Sequence, residues 1–165
     1  MRLIAPLVAS LAVSGCAAAP GWIAAEGVEP ILQEQELDCG AAALAALLGR
    51  WGVPATPAEL RERCRSGPEG IAASALREVA RERGLEAYLL RAGREDLEYE
   101  LSRGRPVLAG VVRSGRAHYV LVTAIRPGGV LLADPAVGWR EQSWRGFERE
   151  WAGAAHLAMA AFPPE

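Results

Sequence analysis

Three residues along this chain have types and settings that could do chemistry together. They are Cys39 in Leu37-Asp38-Cys39-Gly40-Ala41-Ala42, His118 in Gly115-Arg116-Ala117-His118-Tyr119-Val120, and Asp134 in Leu132-Ala133-Asp134-Pro135. A thiol hydrolase needs a thiolate, an imidazole, a group that orients the imidazole, and donors for the oxyanion. Cys39 stands where a turn becomes a helix, and the free N–H groups of a helix start carry partial positive charge that favours thiolate over thiol. Gln33, six residues earlier, can offer its side-chain amide to a reacting carbonyl oxygen, with the Cys39 backbone N–H as second donor. Gln35 is nearer, and spacing alone does not choose between them.

The elements around these residues follow from local pattern. Cys39 to Trp51 is rich in Ala and Leu and reads as a buried helix, with Gly49 near its end and Asp38 as its side-chain cap. Thr56-Pro57-Ala58-Glu59 opens a second helix with a capping box and Pro at the first helical position, running to about Cys64. A third covers about 73 to 83 and stops at Gly84. The character then changes. Leu85–Arg91 reads as a strand and Arg94–Arg103 as a short charged helix. Val107–Val112, Tyr119–Ile125 and Val130–Ala133 are β-rich runs. Arg126-Pro127-Gly128-Gly129 is a tight turn, so the last two runs form a hairpin centred near residue 127. That brings His118 and Asp134 nearly opposite each other at its open end, where Asp134 can accept from one ring nitrogen and leave the other facing the sulfur. A helix near Phe147–Trp151 and a last strand, Leu157–Phe162, complete an α+β chain: an N-terminal helical lobe on a C-terminal antiparallel sheet.

Composition narrows the classes. With 165 residues, 51% hydrophobic and 23% charged, one packed domain is expected. A formal net charge of −2, with 18 basic residues that are all Arg and lie scattered, excludes a nucleic-acid footprint. Three cysteines without CxxC or HxxxH spacing describe neither a disulfide framework nor a zinc site, and no cofactor is expected. Cys64 reads as a packing residue of the second helix; a Cys39–Cys64 disulfide is the alternative that an oxidising compartment would allow. His156 lacks an Asp-Pro partner and reads as structural. Trp139, Trp144 and Trp151 read as core residues.

The N-terminus is set apart from the fold. Met1-Arg2, the apolar stretch Leu3–Val13 and then Val13-Ser14-Gly15-Cys16 have the layout of an export signal too short to span a bilayer. This ending resembles the lipobox of bacterial lipoproteins, which implies cleavage before Cys16 and lipid on that residue. Residues 1–15 are then a signal peptide, 16–29 a lipidated tether and 30–165 the domain. Ala17 stands where an inner-membrane-retained lipoprotein of some bacteria carries Asp. The expected location is therefore the periplasm, anchored by lipid, with the outer membrane favoured.

Gln33-x5-Cys39-Gly40-Ala41-Ala42, His118-Tyr119-Val120-Leu121-Val122 and Asp134-Pro135-x2-Gly138 resemble the bacteriocin-processing, or double-glycine leader, cysteine peptidases. The likeness continues in Ser74-x2-Leu76-x3-Ala80-x3-Gly84-Leu85 and Phe147-x3-Trp151-x-Gly153. It implies a papain-like fold, with Cys39 as nucleophile, His118 as general base then acid, Asp134 as orienter and Gln33 as oxyanion donor. It also implies cleavage after a Gly-Gly pair of a leader peptide, in company with an export system. Many members are fused to the membrane and ATPase parts of a transporter, to which no segment here corresponds. The alternatives are a leader-binding module without catalysis, and a thiol acyltransferase or amidase on the same fold.

Overall fold

The computed structural model describes residues 21–165, so the expected signal peptide and Cys16 lie outside the described residues. In chain order the elements are β1 (Ile23–Ala24), α1 (Cys39–Arg50), α2 (Pro57–Arg63), α3 (Ala73–Glu82), β2 (Glu86–Arg91), α4 (Arg94–Ser102), β3 (Val107–Arg113), β4 (Arg116–Arg126), β5 (Gly129–Asp134), β6 (Gly138–Ser143), α5 (Trp144–Ala152) and β7 (Leu157–Phe162). Seven strands form one antiparallel sheet in the order β2-β7-β3-β4-β5-β6, with β1 added to β4. The fold is α+β, with helices packed on one antiparallel sheet, as the sequence leads one to expect.

Two apolar clusters lie on opposite faces of that sheet. On one face, Leu44, Leu47 and Leu48 of α1 meet Leu60 of α2, Leu76 and Val79 of α3, and Leu108, Leu121, Ala133 and Met159 of the strands. Helix α1 is buried from Cys39 to Leu48. Its alanines allow close approach to the sheet on one side and to α2 and α3 on the other, which is why it reads apolar all round. On the opposite face, Leu97 and Leu101 of α4 and Phe147 and Trp151 of α5 pack on Val107, Ala109, Val111, Val120, Val122 and Leu132. Phe147 stacks on Trp151 at 5.4 Å between ring centroids, and the Trp151 indole N–H donates to Leu157 O at 3.0 Å.

Several sequence expectations need adjusting. Helices α1, α2 and α3 form the N-terminal lobe on one face of the sheet as expected, while α4 and α5 cover the other face. The segment read as tether contributes β1, and Ala25 and Val28 are buried. Strand β6 is an edge strand whose residues alternate between exposed and half-buried, so its polar sequence gave no apolar signal. Helix α5 begins at Trp144, with Ser143 accepting from Gly146 N at 3.1 Å as its N-cap. Trp151 is a core residue, whereas Trp139 is exposed.

The register of the β4–β5 hairpin controls which side chains share a face. At the turn Arg126 pairs with Gly129, Ile125 with Val130 and Ala124 with Leu131; beyond Thr123 the pairs are Val122 with Leu132 and Leu121 with Ala133. Thr123 is thus one extra residue in β4, a bulge. It explains how Val120, Val122 and Ile125, at mixed parity, all reach the same cluster. One step beyond Leu121–Ala133, Asp134 comes level with Val120, two residues from His118 and on its face. Without the bulge Asp134 would be level with Leu121 and would point away from His118.

Deleting Thr123 should remove the extra residue and leave a regular ladder, with Ala124–Leu131 and Val122–Leu132 as consecutive pairs and every facing kept. The expected loss is about 2 kcal/mol, from the hydrogen bonds of Thr123 to Leu131 O and Ala25 N, read as a fall in the urea midpoint. Deleting Leu121, a paired and buried residue, should reverse the facing of Val120 and His118 and cost at least about 4 kcal/mol. Equal midpoints for the two deletions would show that Thr123 is not the extra residue.

Candidate active site

The three residues singled out by sequence converge where β5 ends. Asp134 is its last residue, and β4 residues 116–120 have no β5 partner. The start of α1 fills that gap. Gly40 lets it come close: a Cβ there would lie 3.1 Å from the Tyr119 ring. The Tyr119 hydroxyl donates to Ile71 O at 3.0 Å and fixes the ring over the helix start. Cys39, which is 8% exposed, accepts hydrogen bonds from the His118 side chain and from the Tyr119 and Gly40 backbone.

His118 Nε2 lies 2.7 Å from Asp134 Oδ1. With Nε2 donating to the carboxylate, Nδ1 is the nitrogen that faces the sulfur. Asp134 is fully buried. Its Oδ1 also accepts from Ala136 N at 3.0 Å, and its Oδ2 accepts from Arg113 Nη1 at 2.8 Å. Burial alone would raise its pKa, but the His118, Ala136 and Arg113 hydrogen bonds hold the carboxyl well below the usual range.

The sulfur and the imidazole stabilise each other's charge. Burial opposes a thiolate at Cys39, yet the His118 hydrogen bond, the Tyr119 N–H, the imidazolium charge and the Gly40 N–H outweigh it and lower the pKa. For His118, burial opposes the cation, while the Asp134 and Cys39 hydrogen bonds and their charges raise its pKa to about 9. A thiolate–imidazolium pair therefore exists from the lowered Cys39 pKa up to about pH 9. Cys64 is a free, buried thiol in the core, pushed up to about 11 by burial and by the Glu82 charge.

Asp38 corrects one sequence expectation. It occupies the N-cap position of α1 but makes no side-chain cap hydrogen bond. Its buried carboxylate pairs instead with Arg61 Nη1 of α2 at 2.8 Å. That partner compensates a negative charge next to Cys39, where an unpaired carboxylate would oppose the thiolate. Gln33 lies on the loop leading to Cys39. Its backbone N–H donates to Pro135 O at 2.8 Å, tying this loop to the Asp134 turn. Its Nε2 donates to Gln35 O at 2.9 Å and Glu36 O at 3.1 Å, while Oε1 is buried without a partner. Gln35 is exposed. His156 pairs with Glu148 of α5 at 2.7 Å.

Sequence reasoning missed Arg113 and Arg61. Arg113 continues the buried series Val107, Ala109, Val111 at period two, and a charged residue at that position is the signal that could have found it.

These shifts fix an order of thiol reactivity. Iodoacetamide should alkylate Cys39 well below pH 8 and leave Cys64 unmodified until far higher pH, as read by peptide mass spectrometry. Coincident pH profiles for the two would contradict a thiolate stabilised at Cys39.

Residues 28–161 match the family described as the Peptidase C39 family. The chain is 30% identical over 124 residues to the Lactococcin-G-processing and transport ATP-binding protein LagD of Lactococcus lactis, covering 74% of this chain and 18% of that protein. It thus spans less than a fifth of that relative's length. The peptidase domain of Streptococcus ComA superposes with a TM-score of 0.74 at 24% identity, over 84% of this chain and 100% of that one. A double glycine motif protease from an AMS/PCAT transporter, solved with its leader peptide, superposes with a TM-score of 0.72 at 25% identity, over 86% and 94%. Because the family match runs from ahead of the Cys39 loop to the last strand of the sheet, the chain belongs to the Peptidase C39 family and is a cysteine peptidase.

Proposed function

We propose that Cys39, His118 and Asp134 hydrolyse peptide bonds through a thioester. The observation that carries this reading is the continuous line from the Cys39 sulfur through the imidazole to a buried, ionised Asp134. Cys39 Sγ attacks the scissile carbonyl carbon, and the resulting oxyanion accepts from the Cys39 backbone N–H and from Gln33 Nε2. Imidazolium His118 passes a proton to the leaving amine as the C–N bond breaks. Water then attacks the thioester, giving its proton to neutral His118, and the thiolate leaves with the carboxylic product formed. Gln33 must exchange one of two carbonyls of its own loop for the substrate oxygen, a change local to residues 33–36.

The substrate we infer is an extended leader or flexible segment cut after a Gly-Gly pair. Supporting this are the likeness to a double glycine motif protease bound to its leader peptide and the exposed Leu32, Leu37 and Val137 on the loops that carry Cys39 and follow Asp134. Small residues at the cut suit a nucleophile that is itself almost fully buried. We also propose that Cys16 is lipidated after removal of residues 1–15. The domain would then act in the cell envelope, on the periplasmic side and with the outer membrane favoured, on peptides delivered by an export system.

Three measurements test these readings. Mature protein should cleave Gly-Gly peptides but not controls lacking the pair, and Cys39→Ser should lower kcat/KM by at least about 1,000-fold. The rate should rise with pH as Cys39 ionises and fall near pH 9 as His118 loses the proton needed by the leaving group. Equal rates for wild type and Cys39→Ser would overturn the hydrolytic reading. For the anchor, Cys16→Ser should move the protein from the membrane to the soluble envelope fraction; unchanged fractionation would overturn it.

A further inference from the structure

We propose that Arg113 is a positioning residue of this site: together with Glu150 it fixes the rotation of the Asp134 carboxylate and, through it, the aim of the His118 imidazole. The role rests on the hydrolytic reading above, but the contacts that argue for it do not. Arg113 is the last residue of β3 and Glu150 lies on α5, so the pair ties the catalytic end of the sheet to the helix packed on its face.

The guanidinium is held on two sides. Nη1 donates to Asp134 Oδ2 at 2.8 Å, while Nε and Nη2 reach Glu150 Oε2 at 3.1 and 3.0 Å. A planar fork engaged along both edges cannot pivot as a lysine ammonium can. The Arg113 and Glu150 side chains are 22% and 18% exposed and Asp134 is at 0%, so these contacts are shielded from water. The carboxylate thereby has a donor on each oxygen: His118 and Ala136 on Oδ1, Arg113 on Oδ2. Without Arg113, Oδ2 would be a buried charged acceptor lacking that donor, and the terminal torsion of an Asp side chain has a broad, soft profile. The carboxylate would turn, and the Oδ1–imidazole contact would loosen.

Positioning and simple charge predict opposite outcomes. The groups facing His118 and Asp134 are Cys39 from α1, Arg113 from β3 and, behind it, Glu150 from α5. Were Arg113 only a nearby cation, its removal would raise the His118 pKa by relieving repulsion. Were it the clamp that keeps Asp134 aimed, its removal would lower the His118 pKa through loss of the carboxylate hydrogen bond.

The experiment is a ring 15N NMR titration of His118 in the full chain, with His156 as internal reference, for wild type, Arg113→Met, Arg113→Lys and Glu150→Gln. Arg113→Met should lower the His118 pKa by at least about one pH unit and reduce kcat about tenfold with KM nearly unchanged. Arg113→Lys should recover most of both, and Glu150→Gln should show a smaller downward shift. An unchanged or raised pKa in folded Arg113→Met overturns the proposal. Should that variant not fold, an unshifted Glu150→Gln does so. The titration needs no substrate: cleavage with an unmoved titration sinks only the Arg113 role, whereas a shifted titration without cleavage sinks only the hydrolytic reading.

Discussion

The end of the molecule that carries Cys39, His118 and Asp134 is organised around one buried negative charge. A carboxylate at zero exposure is tolerable only when its oxygens are supplied with donors, and Asp134 draws them from β4, from β3 and from its own turn. Each donor fixes an element. His118 sets how far β4 runs past the end of β5, Arg113 brings the end of β3 and α5 to the same point, and Ala136 shapes the chain where it leaves the sheet. A charge that had to be compensated has become the datum from which the imidazole is aimed.

The thiol joins this arrangement from the other side of the sheet. Helix α1 belongs to the opposite cluster, yet its first residue reaches the level of β4 because β5 has already stopped. Gly40 removes the side chain that would hold it away, and Arg61 occupies the Asp38 carboxylate that would otherwise sit unpaired beside the sulfur. Backbone groups of Tyr119 and Gly40 do what a free helix terminus does only diffusely: they point N–H donors at the sulfur itself. Thiolate stability is thus a property of close packing between α1 and β4 as much as of the helix dipole.

Much of this was legible in the sequence because it is carried by local chemistry. The Pro-Gly-Gly turn, the Thr56 cap and the apolar run after Cys39 each announce an element, and the order Cys, His, Asp announces the site. What stayed hidden was set by tertiary choice. Val120-Leu121-Val122-Thr123-Ala124-Ile125 is an unbroken run buried on both faces, so no periodicity could reveal a bulge within it. Simple turn counting placed His118 near Asp134, but only the extra residue puts them on one face. Strand β6 was missed because an edge strand need not be apolar. Asp38 was read as a cap because its neighbours in sequence favour one, while the partner that claimed it lies on another helix.

The Thr123 bulge also separates two parts of the hairpin that would otherwise constrain one another. Side-chain facing toward the site is decided at residue 123, whereas the strands are closed at Pro127-Gly128, nine residues or about 30 Å of strand from His118. The tip can therefore change length or composition, or carry an inserted segment, without altering parity at the far end. In such a fold the distal turn is free to diversify while the end that carries His118 and Asp134 keeps its geometry.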